Sequence, residues 1–235
     1  MAGSLALVGS GEFLSSTEEV DRALLTFDDG AAPRVAIIPT AAGQEGSKSI
    51  DRWVNLGVER YTELGAQPVP IRAIDASSAN DPELASLVDG CDLIYFSGGD
   101  PGYVTETMRG SLVWRSVLQS WQNGAALAGC SAGAMMMGSV TASPRSMGLR
   151  DGLGVFRRMC LIPHFDRFGG RMTDQVLEAV PVGTVVIGVD EHTGLVHDGA
   201  AWTVRGQQTV WVFESGERTN YEPGETVPLE LRFGA

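Results

Sequence analysis

Short apolar runs alternate with amphipathic stretches over residues 1–191 of the chain. Each apolar run is four to six residues long, the length of a buried strand in a parallel sheet. Strands are predicted at residues 5–8, 34–39, 68–71, 92–96, 159–163 and 184–189, and a further one begins at Ala125. Helices are predicted between them at residues 17–27, 47–65, 81–88, 101–109, 111–122 and 170–179.

Capping chemistry indicates where several of these helices begin and end. Thr17 is a favoured N-cap type, and Glu18 and Glu19 follow it in the first turn, where the helix dipole favours negative charge. Pro82 stands at the first position of its helix, and Gly65 ends another.

The period of the pattern changes after residue 195. Residues 195–198, 200–205 and 209–214 alternate apolar and polar positions and are broken by turn residues, which predicts hairpins added to the edge of the sheet. Together, the elements predict an α/β fold, a three-layer α/β/α sandwich with a mostly parallel sheet and a C-terminal β-hairpin extension. We expect one domain over residues 1–235, with edge hairpins and a tail at 195–235.

Composition adds few constraints on chemistry. The three cysteines, Cys91, Cys130 and Cys160, are far apart and form no C-x-x-C pair, so we expect no disulfide framework, no metal site and no cofactor. Reduced thiols fit the cytoplasm. The first apolar run is too short for a signal peptide, and no run is long enough to span a membrane.

Charge is distributed unevenly along the chain. The net charge of −12 argues against a nucleic-acid partner, because phosphate binding needs a basic face. Residues 145–171 nevertheless contain six arginines and only two acidic residues. Guanidinium groups bind carboxylates through two hydrogen bonds at once, so this segment predicts a pocket for an acidic substrate. The arginines are Arg145, Arg150, Arg157, Arg158, Arg167 and Arg171.

The most informative stretch is Gly129-Cys-Ser-Ala-Gly133, which follows an apolar run and precedes a helix-forming one. Strand, tight turn and helix with G-x-S-x-G at the turn is the pattern of a nucleophile elbow. Cys130 is also a nucleophile type, but only Ser131 has glycine two residues before and two residues after it. We therefore predict Ser131 at the tip of the turn, at a helix N-terminus that favours a developing negative charge.

A second turn is predicted at the same edge of the sheet. Ser97-Gly-Gly-Asp100 follows a predicted strand, and paired glycines let backbone N–H groups approach a ligand closely. The amides of Gly99 and Ala132 are then candidates for the two donors of an oxyanion hole.

A serine nucleophile needs a base, and the base needs an acid that fixes its tautomer. Two histidines, His164 and His192, follow predicted parallel strands and are placed on the edge that carries Ser131, whereas His197 lies in a hairpin. Three acids are candidates for the same edge, and spacing does not decide among them. They are Asp166, Asp190 and Glu191.

Four motifs in order resemble the cyanophycinase and dipeptidase E (aspartyl dipeptidase) family of serine peptidases, over residues 8–213. The motifs are Phe96-Ser-Gly-Gly-Asp100, Gly129-Cys-Ser-Ala-Gly-Ala134, Pro163-His-Phe165 and Gly188-Val-Asp-Glu-His-Thr193. The family has a fold related to class I glutamine amidotransferases and hydrolyses peptide bonds next to aspartyl residues without a metal.

The resemblance implies a serine peptidase with Ser131 as nucleophile, His164 as general base and Glu191 as the orienting acid, and the cysteine pattern predicts a cytoplasmic one. It also implies small acidic peptides as substrates, and a homodimer is expected because the family often associates. Residues expected to bind the substrate are Gly98, Asp100, Asp166, Arg167, Arg171 and His192.

The sequence also departs from the cyanophycinase pattern. Pro101 replaces a glutamine, and Ile162-Pro163 replaces Asp-Gln before the histidine. The resemblance therefore supports the family's reaction more strongly than cyanophycin as the substrate. Three alternatives stay open: a glutaminase-like amidotransferase that uses Cys130, a catalytically silent binding module, and a nucleotide-binding protein. The last depends on Gly9-Ser-Gly11 alone, which lacks the third glycine of the dinucleotide motif because Leu14 stands there.

Overall fold

The computed structural model describes residues 2–25, 31–143 and 148–234, with the backbone alone at 143 and 170–172. Its strands are β1 Leu5–Val8, β2 Arg34–Ile38, β3 Gln67–Pro70, β4 Leu93–Phe96, β5 Ala126–Cys130, β6 Val140–Ser143, β7 Gly148–Asp151, β8 Met159–Ile162, β9 Val185–Val189, β10 Thr193–His197, β11 Trp202–Gly206, β12 Val210–Glu214, β13 Glu217–Tyr221 and β14 Thr226–Val227. Its α-helices are α1 Glu18–Leu24, α2 Ser47–Glu63, α3 Ala76–Ala79, α4 Pro82–Val88, α5 Pro101–Met108, α6 Leu112–Gln122, α7 Ala132–Met135 and α8 Gly170–Ala179. Short 3₁₀ turns cover Ser15–Thr17 and Thr40–Ala42, and a π-helical turn covers Phe165–Gly169.

The central sheet has eight strands in the order β14-β11-β10-β1-β5-β4-β2-β3. The five strands from β1 to β3 in this order are parallel, and β10, β11 and β14 extend the sheet antiparallel beyond β1. The predicted α/β class with a mostly parallel central sheet and edge hairpins is therefore confirmed.

Alternate residues of the central strands pack into two separate apolar clusters, one on each face of the sheet. In β1, Leu5 and Leu7 belong to the cluster that includes helices α5 and α6, whereas Ala6 and Val8 belong to the cluster that includes α1 and α2. All four residues are fully buried, as expected for a strand covered by helices on both sides. The two clusters hold the three layers together.

A prediction about the second half of the chain was wrong in one respect. The strands before His164 and Glu191 do not join the central sheet, because β8 and β9 pair in parallel within a separate four-stranded sheet of order β13-β12-β9-β8. The strand β12 crosses from the hairpin region to pair with β9. The apolar runs of β8 and β9 are buried on both faces like those of the central sheet, so their pattern does not reveal which sheet they enter.

Side chains cap several helix starts, but the cap predicted for α1 is absent. Asp81 and Ser111 accept backbone N–H bonds as N-caps of α4 and α6. Thr17 does not cap α1, because its hydroxyl donates instead to the carbonyl oxygens of Gly11 and Leu14. Helix α1 ends at Leu24, and the predicted end at residue 27 lies outside the described residues. The sequence interpretation missed α3, a four-residue helix with a capping box at Asp75.

The longest described helix, α2, has 17 residues and carries charged residues along its length. Of the helices that the structure describes, none combines the length and the apolar character needed to cross a bilayer.

Candidate active site

Ser131 lies at a sharp turn between β5 and α7, with φ of 49° and ψ of −113°. This left-handed backbone region is strained for a non-glycine residue and is typical of a nucleophile elbow. The flanking glycines are required by close backbone approach: a Cβ atom on Gly129 would lie 2.3 Å from the carbonyl oxygen of Gly133, and one on Gly133 would lie 2.4 Å from that of Phe96. The glycine spacing therefore places Ser131 at the tip of the turn, as predicted.

His164 approaches the serine from the second sheet. It lies two residues after the end of β8, has a positive φ of 49°, and its Nε2 atom lies 3.3 Å from the Oγ atom of Ser131. The imidazole is 30% exposed, so it can reach a ligand bound above the serine. The ring of Phe168 packs edge-on against it, with the ring centroids 6.1 Å apart.

Glu191 holds the other side of this imidazole. Its Oε1 atom lies 2.8 Å from Nδ1 of His164, and its Oε2 atom lies 2.8 Å from Nε of Arg167. The carboxylate is only 14% exposed, which limits competition from water. The backbone N–H of Glu191 donates to Oδ1 of Asp166 at 3.0 Å. The structure thus brings Ser131, His164 and Glu191 into one chain of contacts, along which a proton can pass from the hydroxyl to the imidazole.

The other two candidate acids have different contacts. Asp190 is buried, and its carboxylate accepts the backbone N–H of Thr209 and the indole N–H of Trp211, which ties the turn after β9 to the start of β12. Burial raises the pKa of this carboxyl. Asp166 contacts the backbone of Glu191 and so supports the segment that carries the acid. Neither carboxylate makes a described hydrogen bond to His164.

The two predicted oxyanion donors lie on turns next to Ser131. Gly99 has φ of 147°, and a Cβ atom there would lie 2.3 Å from the carbonyl oxygen of Ala41, so only glycine fits. Within the described part of the chain, the amides of Gly99 and Ala132 donate to no protein acceptor. Gly98 differs, because its N–H donates to Oε1 of Glu12 at 2.8 Å. Gly98 was expected to bind substrate, and its amide is already occupied by the protein.

Cys130 is fully buried behind the elbow. Its thiol donates to Oε2 of Glu12 at 2.9 Å, and burial raises the pKa of the thiol well above its ordinary value. A buried thiol that holds its proton is a poor nucleophile. The geometry therefore gives no support to an amidotransferase reaction through Cys130.

The remaining histidines make contacts away from Ser131. Nδ1 of His192 lies 2.8 Å from Oγ of Ser16, and the ring packs against Gly11. His197 lies at the far end of β10, opposite Leu5 at the start of β1, and packs at a tilt against Trp202 with 4.9 Å between ring centroids. His192 was expected to bind substrate, and its described contacts are to the turn after β1.

The Gly9-Ser-Gly11 turn packs closely against the segment that contains Asp190 and His192. A Cβ atom on Gly9 would lie 2.1 Å from the carbonyl oxygen of Asp190, and one on Gly11 would lie 2.5 Å from Nδ1 of His192. These glycines are needed to pack β1 against the turn that follows β9. The turn is filled by protein, which argues against the nucleotide-binding alternative.

The other residues expected to bind substrate are spread around the site. Asp100 caps α5 by accepting the N–H of Tyr103 at 2.9 Å. Arg167 is 66% exposed while its Nε atom contacts Glu191, so part of its guanidinium faces solvent. The side chain of Arg171 lies outside the part of the chain that the structure describes.

The arginines of this segment that the structure describes do not lie in one pocket. Arg157 and Arg158 line a cavity with Val185, at the opposite end of β9 from Glu191. Arg150 lies over the first turn of α5, near Gly102, and Arg145 lies outside the described residues. Among the described arginines, Arg167 alone contacts one of the three residues of the Ser131 site through its side chain.

Sequence reasoning missed Glu12 as a site residue. It follows β1 at the carboxyl end of a central strand, and it is only 5% exposed. A charged residue at that end of a buried parallel strand was the available signal, because ligand sites of such sheets lie there.

Comparison with known proteins shows the family to which the chain is similar. The model of a family described as peptidase family S51 matches residues 5–205. A crystal structure of a peptidase from an acI-B1 Actinobacterium is 33% identical, covers 97% of both chains and superposes with a TM-score of 0.85. A protein described as a peptidase E from Listeria monocytogenes EGD-e is 16% identical over 88% of this chain and 100% of its own, with a TM-score of 0.64, and shares the fold.

Proposed function

The chain belongs to peptidase family S51 and is a serine-type peptidase, and on that premise we propose that it hydrolyses small aspartyl or isoaspartyl peptides. In this proposal Ser131 is the nucleophile, His164 the general base and Glu191 the acid that orients the base. The observation that carries the proposal is the continuous contact from Ser131 Oγ through both ring nitrogens of His164 to Glu191, at 3.3 Å and 2.8 Å.

Glu191 determines which nitrogen of His164 can act as the base. A carboxylate 2.8 Å from Nδ1 favours the tautomer with hydrogen on Nδ1, which leaves the lone pair of Nε2 directed at the serine hydroxyl. When Ser131 Oγ attacks the peptide carbonyl carbon, its proton passes to Nε2. The resulting imidazolium is stabilised by the negative charge of Glu191. The 3.3 Å separation is at the long end for a hydrogen bond, as is common without substrate.

The attack forms a bond from Ser131 Oγ to carbon and places negative charge on the carbonyl oxygen. In the proposal, the amides of Gly99 and Ala132 donate hydrogen bonds to this oxygen. One such donor is worth about 3–4 kcal/mol of transition-state stabilisation in serine peptidases. Ala132 also begins α7 and Gly99 ends the turn beside the elbow, so both donors are fixed by backbone structure.

After the attack, His164 passes the proton on to the leaving group. The imidazolium of His164 gives its proton to the leaving amine as the carbon–nitrogen bond breaks, and the acyl group stays on Ser131. Water then attacks the acyl carbon while His164 takes a proton from it. Collapse of the second tetrahedral intermediate releases the carboxylic acid and returns the proton to Ser131.

The acidic substrate class is supported by Arg167 and by the resemblance to aspartyl peptidases. The guanidinium of Arg167 is 66% exposed beside the carboxylate of Glu191, so its outer nitrogens can bind a substrate carboxylate within reach of the site. The chain as a whole has a net charge of −12, which makes a local cation important for attracting an anionic ligand.

A panel of Asp-X, isoaspartyl-X, Glu-X and Ala-X dipeptides tests the substrate class, with release of the free amino acid as the readout. We expect kcat/KM to be highest for one of the two aspartyl linkages and to fall at least about tenfold for Ala-X. Equal rates on Asp-X and Ala-X would contradict the acidic specificity but leave the serine chemistry in place. The Ser131→Ala variant is the background control.

A further inference from the structure

Glu12 connects the two chain segments on either side of the proposed oxyanion hole. Its Oε1 atom accepts the backbone N–H of Gly98 at 2.8 Å, and its Oε2 atom accepts the thiol of Cys130 at 2.9 Å. The side chain is 5% exposed and takes no part in the proton path described above. A buried carboxylate is costly unless it is hydrogen-bonded, so this arrangement is a specific feature of the site.

The sequence neighbours of its two partners are the proposed donors. Gly98 immediately precedes Gly99, and Cys130 lies two residues before Ala132, with Ser131 between them. A Cβ atom on Gly98 would lie 2.9 Å from Oε1 of Glu12 and 3.5 Å from Cβ of Ser131. The carboxylate, the glycine turn and the nucleophile are therefore packed against one another.

A turn made of two glycines needs such an anchor. Glycine populates both signs of φ with similar ease, and Gly99 holds a φ of 147°. Because the N–H of Gly98 is fixed on Glu12, the following peptide plane has less freedom to rotate. The amide of Gly99 donates to no acceptor in the described part of the chain and is available to a ligand.

We propose that Glu12 is a positioning residue that holds the Gly99 and Ala132 donors at the spacing that an oxyanion requires. Its acceptor geometry, rather than its charge, performs this role. The inference rests on the proposed function, since it requires Ser131 to be the nucleophile. Mispositioned donors lower the rate of the chemical step without weakening substrate binding, so the effect belongs to kcat.

Four variants test this role. Glu12→Met keeps the volume and removes both acceptors, and Glu12→Asp keeps the charge but shortens the reach. Glu12→Gln keeps an oxygen acceptor for Gly98, and its amide N–H group can face the sulfur of Cys130. Asp21→Asn, which alters another buried carboxylate in the contact between α1 and α2, controls for a change in stability away from Ser131.

Two readouts are measured for each variant: kcat and KM on the best dipeptide, and the rate at which a fluorophosphonate labels Ser131. We expect Glu12→Met and Glu12→Asp to lower kcat and the labelling rate about 10- to 100-fold with KM within about twofold. Glu12→Gln should stay within about threefold of wild type, and Asp21→Asn should change thermal stability but not kcat. If Glu12→Met does not fold, Glu12→Asp carries the comparison.

Three results would overturn the role of Glu12: a kcat for Glu12→Asp close to wild type, an effect confined to KM, or a Glu12→Gln variant as slow as Glu12→Asp. The last would mean that the acceptor geometry kept by glutamine is not sufficient for the role. A wild-type protein that is not labelled at Ser131 would instead contradict the proposed function itself. The two failures are thereby distinguished.

Discussion

The Nε2 atom of His164 lies 3.3 Å from the Oγ atom of Ser131 although the strands that carry them belong to different sheets. Ser131 follows β5 at the centre of the eight-stranded sheet, and His164 follows β8 at the edge of the four-stranded sheet. The site is therefore assembled at the junction of two sheets, and Arg167 and Asp166 of the second sheet's connecting turn hold its acid.

Replacement of Glu191 tests the choice of acid. In Glu191→Gln the ring of His164 loses the charge that stabilises its imidazolium, and the amide can present N–H to Nδ1, which favours the wrong tautomer. We expect kcat to fall roughly 10²- to 10⁴-fold, as for the equivalent change in other triads. Asp166→Asn is the matched control, because its amide oxygen can still accept the N–H of Glu191. The kcat of Asp166→Asn should fall less than about tenfold. A larger loss of kcat in Asp166→Asn than in Glu191→Gln would show that Asp166 is the acid.

Arg167 is expected to affect acidic substrates selectively. An exposed ion pair contributes up to about 1 kcal/mol, so Arg167→Gln should raise KM about three- to fivefold for substrates with a side-chain carboxylate. The same variant should change KM little for neutral dipeptides. Steady-state kinetics on matched Asp-X and Asn-X substrates measure the difference. An equal loss on both would mean that Arg167 acts only through its contact with Glu191.

A buried ion pair in the contact between α1 and α2 makes stability depend on pH. Asp21 and Arg60 are 1% and 5% exposed and lie 2.9 Å apart, yet burial outweighs the pairing and raises the pKa of Asp21 to about 6. A raised pKa in the folded state means that folding favours the protonated acid. The contribution of this group is therefore complete below its ordinary value of 3.8 and is lost as the pH rises through about 6.

Asp21→Asn removes this titration and reveals its size. The free energy of unfolding of wild type minus that of Asp21→Asn should decrease by roughly 2–3 kcal/mol between pH 3.5 and pH 7. Denaturant titrations at several pH values measure this difference. The pH-dependent contributions of all other groups are common to both proteins and cancel in it. A difference that increased with pH would show that the ion pair with Arg60 lowers the pKa of Asp21 instead.

Several features of the fold and site could be predicted from local sequence. Gly129 and Gly133 identify Ser131 because close backbone contacts exclude any Cβ at both positions. The apolar run before His164 predicts a strand, and that strand is present as β8. These are local consequences of sterics and burial, which a short stretch of sequence contains.

Other features depend on contacts between distant segments. Runs buried on both faces look alike in either sheet, so the separate sheet of β8 and β9 was not predicted. Asp166, Asp190 and Glu191 all fall on one edge, and only side-chain direction shows that Glu191 contacts His164. Glu12 bonds Gly98 and Cys130, which are 86 and 118 residues away in sequence, and no motif marks that pairing. The roles of these residues in catalysis stay predictions.

Covalent labelling with a fluorophosphonate, followed by intact-mass measurement and peptide mapping, tests the central claim most directly. We expect one adduct per chain, located at Ser131, absent in Ser131→Ala, and formed at least about 100-fold more slowly in His164→Ala, because the imidazole no longer takes the hydroxyl proton. His197→Gln, at the far end of β10, should label like wild type. An adduct at another residue, or full hydrolytic activity in Ser131→Ala, would contradict the account.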